Sequence, residues 1–123
     1  LEPSADDRLS AKTENAVLEF LRAGPELLVD ALVRLYAPDL TLPAFSLLVS
    51  RWAHDLMRSA LGLQPRYFID ENAVIERLAA HTDAKRAAGF CTQALSCRRA
   101  ADHTLNPKQT VESVLLRYKQ IFQ

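Results

Sequence analysis

Glycine is scarce in this sequence, with three residues in 123, and the three are widely dispersed. A phosphate-cradling loop in its usual glycine-rich form cannot be built from them. No HExxH or CxxC motif occurs, and no two of the three histidines are close enough to pair on one helical turn. His54 is interpreted as a packed or surface side chain, and His81 and His103 lie at helix ends. These absences exclude the common signals of nucleotide and zinc sites, so we expect no cofactor, no metal and no catalysis by this chain.

Cysteines and long apolar runs are also few. Cys91 and Cys97 are six positions apart on one predicted helix, where side chains diverge by about 240° and cannot form a disulfide. Their apolar neighbours favour structural thiols, which are typical of the reducing cytoplasm. No run of 18 apolar residues and no signal peptide is present, so we expect a cytoplasmic protein with no membrane contact. Because the chain begins at Leu1 rather than Met, we expect a piece of a longer or processed protein.

Net charge is absent as well, since 15 Lys and Arg residues balance 15 Asp and Glu residues. No global field therefore favours nucleic acid or a membrane. The distribution is uneven: residues 1–40 hold eight acids and four bases, whereas residues 83–123 hold seven bases and three acids. This asymmetry indicates either two differently decorated solvent faces or a head-to-tail contact surface in an assembly.

What the sequence does contain is helical periodicity. Leu and Ala are abundant, no alternating strand pattern stands out, and 123 residues suffice for one domain with a real core. We predict an all-α protein, an antiparallel bundle of about five to six helices over residues 12–123, preceded by a polar lead-in at residues 1–11. The predicted helices span 12–23, 25–36, 42–61, 71–80, 83–101 and 107–122. Side-chain caps are predicted at Thr41, Asp70, Thr82 and Asn106.

Three of these helices carry informative faces. The third has a wide apolar stripe and is predicted to be central: Phe45, Leu48, Val49, Trp52, Leu56 and Ala60. The fifth has an inner face of small residues, which lets a neighbouring helix approach closely: Ala84, Ala87, Ala88, Cys91 and Ala94. The last, within His103–Phe122, has a stripe formed by Val111, Val114, Leu115, Tyr118 and Phe122. The polar face of this last helix, with Lys108, Arg117 and Lys119, is either a wet outer side or a partner contact.

Two segments are candidates for recognition. The basic residues of the last two helices could form a DNA-binding face, although such residues also decorate solvent faces routinely; they are Lys85, Arg86, Arg98, Arg99, Lys108, Arg117 and Lys119. The irregular segment that contains Arg66, Tyr67 and Phe68 has two interpretations. Its aromatic rings either fold over the bundle or form an exposed anchor for a partner, because Tyr, Phe and Arg are favoured at interfaces.

Several stretches together resemble a known family. They are LVSRWAHDLMRSALG, RYFIDENAVIERLAA and CRRAADHTLNPKQTVESVLLRYKQIF. Their order and spacing, from about Leu18 to Phe122, resemble the C-terminal domain of δ′ subunits of bacterial DNA polymerase III clamp loaders. The most specific part is Arg98-Arg99, His103 and Leu105-Asn106-Pro107, followed by the Leu-Leu-Arg-Tyr of the last helix. The related δ and γ/τ subunits have helical C-terminal domains too and remain alternatives.

This resemblance implies a function. ATPase-like modules would precede this piece in the full subunit, and none of their motifs is present here. The C-terminal domains of five subunits pack side by side into a collar that holds the clamp-loader ring together during DNA replication. This chain would be one non-catalytic collar element of a DNA-directed DNA polymerase holoenzyme. Its partners would be δ and γ/τ, and it would meet DNA only indirectly, through the full complex. The interface candidates are Arg66, Tyr67, Phe68, Arg98, Arg99, Lys108, Arg117 and Lys119.

Overall fold

The computed structural model describes residues 10–28, 31, 41–99 and 107–122 of the chain. Within these ranges all regular secondary structure is helical, and the helices share one hydrophobic core, which confirms the predicted all-α bundle. Short 3₁₀ turns at Gly24–Glu26 and Ile69–Glu71 follow the first helix and precede the third. The α-helices in the described ranges are α1 (Ala11–Ala23), α2 (Leu42–Ala60), α3 (Asn72–Ala79), α4 (Ala84–Arg99) and α5 (Pro107–Gln120).

Local capping explains where the first two helices begin. The Ser10 hydroxyl accepts a hydrogen bond from the Thr13 backbone N–H at 3.2 Å, so α1 starts at Ala11, one residue before the predicted boundary. Thr41 accepts from the Ala44 N–H at 3.3 Å, as predicted, and Pro43 occupies the first turn of α2. These caps satisfy donors that a helix leaves without intrahelical partners. Asn106, the predicted cap of α5, lies outside the described residues, but Pro107 is the first residue of that helix.

Two predicted caps differ from the structure. Asp83, not Thr82, receives the Arg86 N–H of α4, at 2.8 Å. The Thr82 hydroxyl instead donates to the Ile121 carbonyl at 2.6 Å and joins the start of α4 to the end of α5. Asp70 lies inside the 3₁₀ turn Ile69–Glu71, and no side chain caps α3. In both places a contact remote in sequence or a tight turn outweighs the local capping preference.

The predicted second helix, residues 25–36, also differs where it is described. A 3₁₀ turn ends at Glu26, and Leu27 has an extended backbone with ψ 126°. Leu27 is fully buried, and its carbonyl accepts a hydrogen bond from Lys119 Nζ at 2.7 Å. That tertiary anchor holds the chain out of helical geometry. In a helix over residues 25–36, Leu28, Leu32 and Leu35 would form one apolar stripe. Leu28 is exposed instead, and Leu32 and Leu35 lie outside the described residues.

Helix α2 is central, as predicted. Its apolar stripe is buried apart from Ala60 at its end, and it packs along much of α4 and against α3. Two alanines of the small α4 face, Ala87 and Ala94, are fully buried there, which allows the two helices to approach closely. On α5, Leu115 and Tyr118 are also fully buried. The core therefore lies between α2 and the helices around it.

A buried polar contact ties three helices together. The Trp52 indole N–H donates to the Tyr118 hydroxyl at 2.9 Å, and that hydroxyl donates to the Leu21 carbonyl at 2.5 Å. Each polar atom of these large rings thus has a partner, as burial requires. Burial raises the pKa of the Tyr118 hydroxyl well above its usual range, a shift that the hydrogen bond from Trp52 opposes. The network fixes α1, α2 and α5 relative to one another.

Gly24 is required where α1 ends. Its φ of 57° and ψ of −120° lie in a region that residues with a side chain rarely adopt. A Cβ at this position would also collide with the Leu78 side chain on α3. We expect Gly24→Ala to lower the free energy of unfolding by about 2 kcal/mol, measured by urea denaturation. Gly89→Ala is the matched control, because a Cβ there meets nothing within 4 Å. If Gly24→Ala lowered the free energy of unfolding no more than Gly89→Ala does, the requirement for glycine at position 24 would be contradicted.

None of the helices in the described ranges has the length and apolar character needed to cross a membrane.

Candidate interaction surface

The connection between α2 and α3 displays an unusual concentration of exposed apolar side chains. Four large hydrophobic residues between positions 61 and 69 are 43 to 69 % exposed: Leu61, Leu63, Tyr67 and Ile69. The rest of the described chain has three more of this kind, and those are scattered over Leu28, α4 and α5. We call residues 61–69 the loop surface. Because an exposed apolar patch is costly in water, such a concentration is typical of a protein-binding site.

A buried carboxylate holds this loop in place. Asp55 on α2 is fully buried, and its Oδ1 accepts the Arg66 N–H at 2.8 Å. Its Oδ2 accepts the N–H groups of Tyr67 and Phe68 at 2.9 and 2.8 Å. Three converging backbone donors compensate the charge, which would otherwise be very unfavourable in the interior. The loop therefore has one preferred backbone conformation.

The two aromatic residues of this loop, Tyr67 and Phe68, lie in different environments. The Phe68 ring packs edge-on against Trp52, with 5.2 Å between centroids, and is half-buried. The Tyr67 ring points outward and lies 5.5 Å from the His54 ring. Phe68 thus belongs to the bundle, whereas Tyr67 and the exposed Arg66 remain available to a partner. The bundle interpretation is confirmed for Phe68, and the interpretation of Tyr67 and Arg66 as a partner anchor stays a prediction.

Two guanidinium groups stand over the Tyr67 ring. Arg51 Cζ lies 5.2 Å from the ring centroid and Arg66 Cζ lies 5.6 Å from it, both within cation–π range. Both arginines are exposed, and neither forms an ion pair with a carboxylate in the described part of the chain. His54 borders the same cluster, with its Nδ1 3.6 Å from Asp55 Oδ1. We call Arg51, His54, Arg66 and Tyr67 the arginine–tyrosine cluster.

The two ends of the loop are also fixed. At the start, Arg58 Nε donates to the Gln64 carbonyl at 2.7 Å, and Leu63 N–H donates to the Arg58 carbonyl at 2.8 Å. At the end, Arg22 on α1 forms two hydrogen bonds with the Glu71 carboxylate, at 2.8 and 3.0 Å. This bidentate contact raises the pKa of Arg22. The loop surface is consequently attached to α2, and the turn that follows it is attached to α1 through Glu71.

The basic candidates on α4 and α5 lie elsewhere and are not brought together with Arg66. Arg86 and Arg117 line an open groove of about 760 Å³ between α4 and α5, and Lys108 is exposed. Lys119 is engaged internally, through its hydrogen bond to the Leu27 carbonyl. The side chains of Arg98 and Arg99 lie outside the described part of the chain. Their predicted partner roles stay predictions.

The remaining chemistry-bearing groups are accounted for by packing. Cys91 is half-buried, its thiol lies 3.5 Å from the Ser50 carbonyl, and burial raises its pKa. This is the behaviour of a structural thiol. The Cys97 side chain lies outside the described part. In that part, no three His, Cys, Asp or Glu side chains are grouped so as to hold a metal ion.

The comparisons with known proteins add no relative. No protein-family model, curated protein or solved structure was found to match this chain. The likeness to clamp-loader subunits therefore depends on the residues of the sequence alone.

Proposed function

We propose that this chain is a non-catalytic assembly domain that binds neighbouring subunits through the loop surface. The observation that carries the proposal is the fixed conformation of that surface. Asp55 accepts three backbone N–H groups of a loop that bears Arg and Tyr, while four large apolar side chains stay exposed. Tyr and Arg are the residues that most often dominate binding energy at protein interfaces. A loop that is ordered before binding loses less conformational entropy when its partner arrives.

The resemblance to δ′ C-terminal domains makes the proposal more specific. We propose that the partners are the C-terminal domains of δ and γ/τ subunits in the collar of a bacterial DNA polymerase III clamp loader. A ring of unlike subunits uses heterologous contacts, in which one face of a domain meets a different face of the next. The loop surface would supply one such face. The sequence is acidic over residues 1–40 and basic over residues 83–123, which supports two contact faces of opposite charge.

Co-purification with the C-terminal domains of δ and γ/τ tests this proposal. We expect the chain to bind at least one of them, and Arg66→Glu together with Tyr67→Ala to weaken binding about tenfold or more. Arg77→Glu is the matched control, because Arg77 is exposed on α3 and lies outside the loop surface. Circular dichroism would confirm that each variant is folded. Failure of the folded wild-type chain to bind either domain would reject the proposal.

A second candidate function is a small DNA-binding module. It is favoured by one observation, that Arg86 and Arg117 line the same groove. DNA binding would fall steeply with rising salt concentration, because neutralised phosphates release counterions. A steep salt slope that Arg86→Gln and Arg117→Gln together abolish would support this function over assembly.

A further inference from the structure

In the arginine–tyrosine cluster two positively charged side chains lie over one aromatic ring. No carboxylate in the described part of the chain forms an ion pair with them. Arg51 and Arg66 lie 5.2 and 5.6 Å from the Tyr67 centroid, so their guanidinium groups share one small region of the surface. Each guanidinium group gains a modest cation–π attraction from the ring. An acidic ligand that offers one carboxylate to each group would gain from both. Among the described residues no carboxylate forms an ion pair with either arginine, so an acidic ligand would add contacts that this part of the chain does not supply.

The cluster is also arranged in advance. The backbone of Arg51 is held within α2, one turn before Asp55, and the backbone of Arg66 is held by the hydrogen bond between its N–H and Asp55 Oδ1. Tyr67 is fixed in the same way through Oδ2 and packs against His54. The Asp55 carboxylate accepts these three backbone N–H groups and forms no ion pair with Arg51 or Arg66.

The surroundings decide which anion is favoured. Guanidinium groups bind planar carboxylates through two parallel hydrogen bonds, and they bind phosphates as well. A single-stranded nucleic acid would need a free aromatic face for base stacking, but two guanidinium groups and His54 already approach the Tyr67 ring. The neighbouring exposed residues, Leu61, Leu63 and Ile69, suit apolar side chains of a protein. Charge and apolar surface together indicate a polypeptide.

We infer that Arg51 and Arg66 each receive a carboxylate from an acidic segment of a partner protein, with apolar residues on either side of the two acids. The Tyr67 ring holds the two guanidinium groups in place, and residues 61–69 accept the apolar neighbours. This inference deepens the proposed assembly function, on which it rests for the claim that a protein covers the loop. It makes acidity a required property of the partner.

The experiment uses nuclear magnetic resonance of the ¹⁵N-labelled chain and a soluble probe, the peptide acetyl-Leu-Glu-Glu-Leu-amide. We expect this probe to shift the Nε–Hε resonances of Arg51 and Arg66 and the Tyr67 amide in a saturable manner. The peptide acetyl-Leu-Gln-Gln-Leu-amide should leave them in place, because it has the same shape without the charge. Arg51→Gln with Arg66→Gln should weaken binding of the acidic probe about tenfold. Arg77→Gln, which removes one charge on the neighbouring helix, should not.

Several results would overturn the inference. Equal shifts from the two peptides, or shifts from the acidic probe that leave Arg51 and Arg66 unchanged, would show that a carboxylate is not what the cluster binds. Stronger shifts from a single-stranded oligodeoxythymidine would assign the cluster to a phosphate backbone instead. If the clamp-loader domains co-purify but the acidic probe fails, the carboxylate inference is wrong and the assembly function stands. If the probe binds and those domains do not, the cluster is a carboxylate site in a different assembly.

Discussion

Replacing Asp55 with alanine is expected to lower the free energy of unfolding by about 4 kcal/mol. The substitution removes the acceptor of three backbone N–H groups at 2.8 to 2.9 Å. It also releases Phe68 from its edge-on contact with Trp52. Urea denaturation monitored by Trp52 fluorescence measures the loss. Partner binding should fall in parallel, because the loop surface would no longer be ordered.

Two variants sharpen this test. Asp55→Asn keeps the shape but leaves only one acceptor oxygen, so we expect a smaller loss than for alanine. Asp83→Ala is the matched control, because Asp83 is largely exposed and accepts a single N–H at the start of α4. Its loss should be about 1 kcal/mol. If Asp55→Ala costs no more than Asp83→Ala, the buried carboxylate does not hold the loop.

Leu115→Ala is expected to cost about 3 kcal/mol of unfolding free energy, within the range typical of buried leucines. Leu115 is fully buried on the inner face of α5, beside the Tyr118 turn that completes the network with Trp52 and Leu21. Truncation leaves a cavity that the surrounding helices fill only in part. Chemical denaturation of the purified variant measures this loss.

The adjacent residue provides the comparison. Leu116 is 37 % exposed and lines the open groove between α4 and α5, so Leu116→Ala should change stability by about 0.5 kcal/mol or less. The two substitutions remove the same atoms from neighbouring positions and differ in burial alone. Similar losses for both, or a Leu115→Ala loss below about 1 kcal/mol, would mean that α5 presents a different face to the core.

The parts of the fold that sequence predicts well are those governed by local rules. Helix α2 begins where Thr41 and Pro43 predict it, and Gly62 follows its end with a φ of 82°. The apolar stripe of α2 and that of α5 identify their buried faces, because helical periodicity places such residues on one side. Pro107 marks the start of α5. Each of these signals acts over four residues or fewer.

The parts that sequence predicts poorly depend on contacts between distant residues. Leu27 is held outside a helix by Lys119, 92 positions away. Thr82 is diverted from capping by the Ile121 carbonyl, 39 positions away. The local sequence around Leu27 or Thr82 does not indicate either of these long-range contacts. Propensity therefore gives way to tertiary anchoring in both places.

The candidate site also contains residues that the local sequence predicts and residues that it does not. The composition of the loop predicts Arg66 and Tyr67 as contact residues. It does not indicate that Phe68 packs inward while its neighbours face outward. Arg51 and Asp55 were missed. A signal existed for Asp55, since it continues the buried side of α2 between Trp52 and Leu56. An acid on an apolar face needs donors, and the loop 11 to 13 residues later provides them.

Hydrogen–deuterium exchange of the chain, alone and with the clamp-loader domain that binds it, tests the central claim most directly. The assembly proposal predicts that binding protects the amides of residues 61–69 beyond the protection that Asp55 already gives to three of them. The amides lining the groove between α4 and α5 should change less. Protection confined to that groove, with residues 61–69 unchanged, would contradict the account, as would the absence of any protection in the presence of those domains.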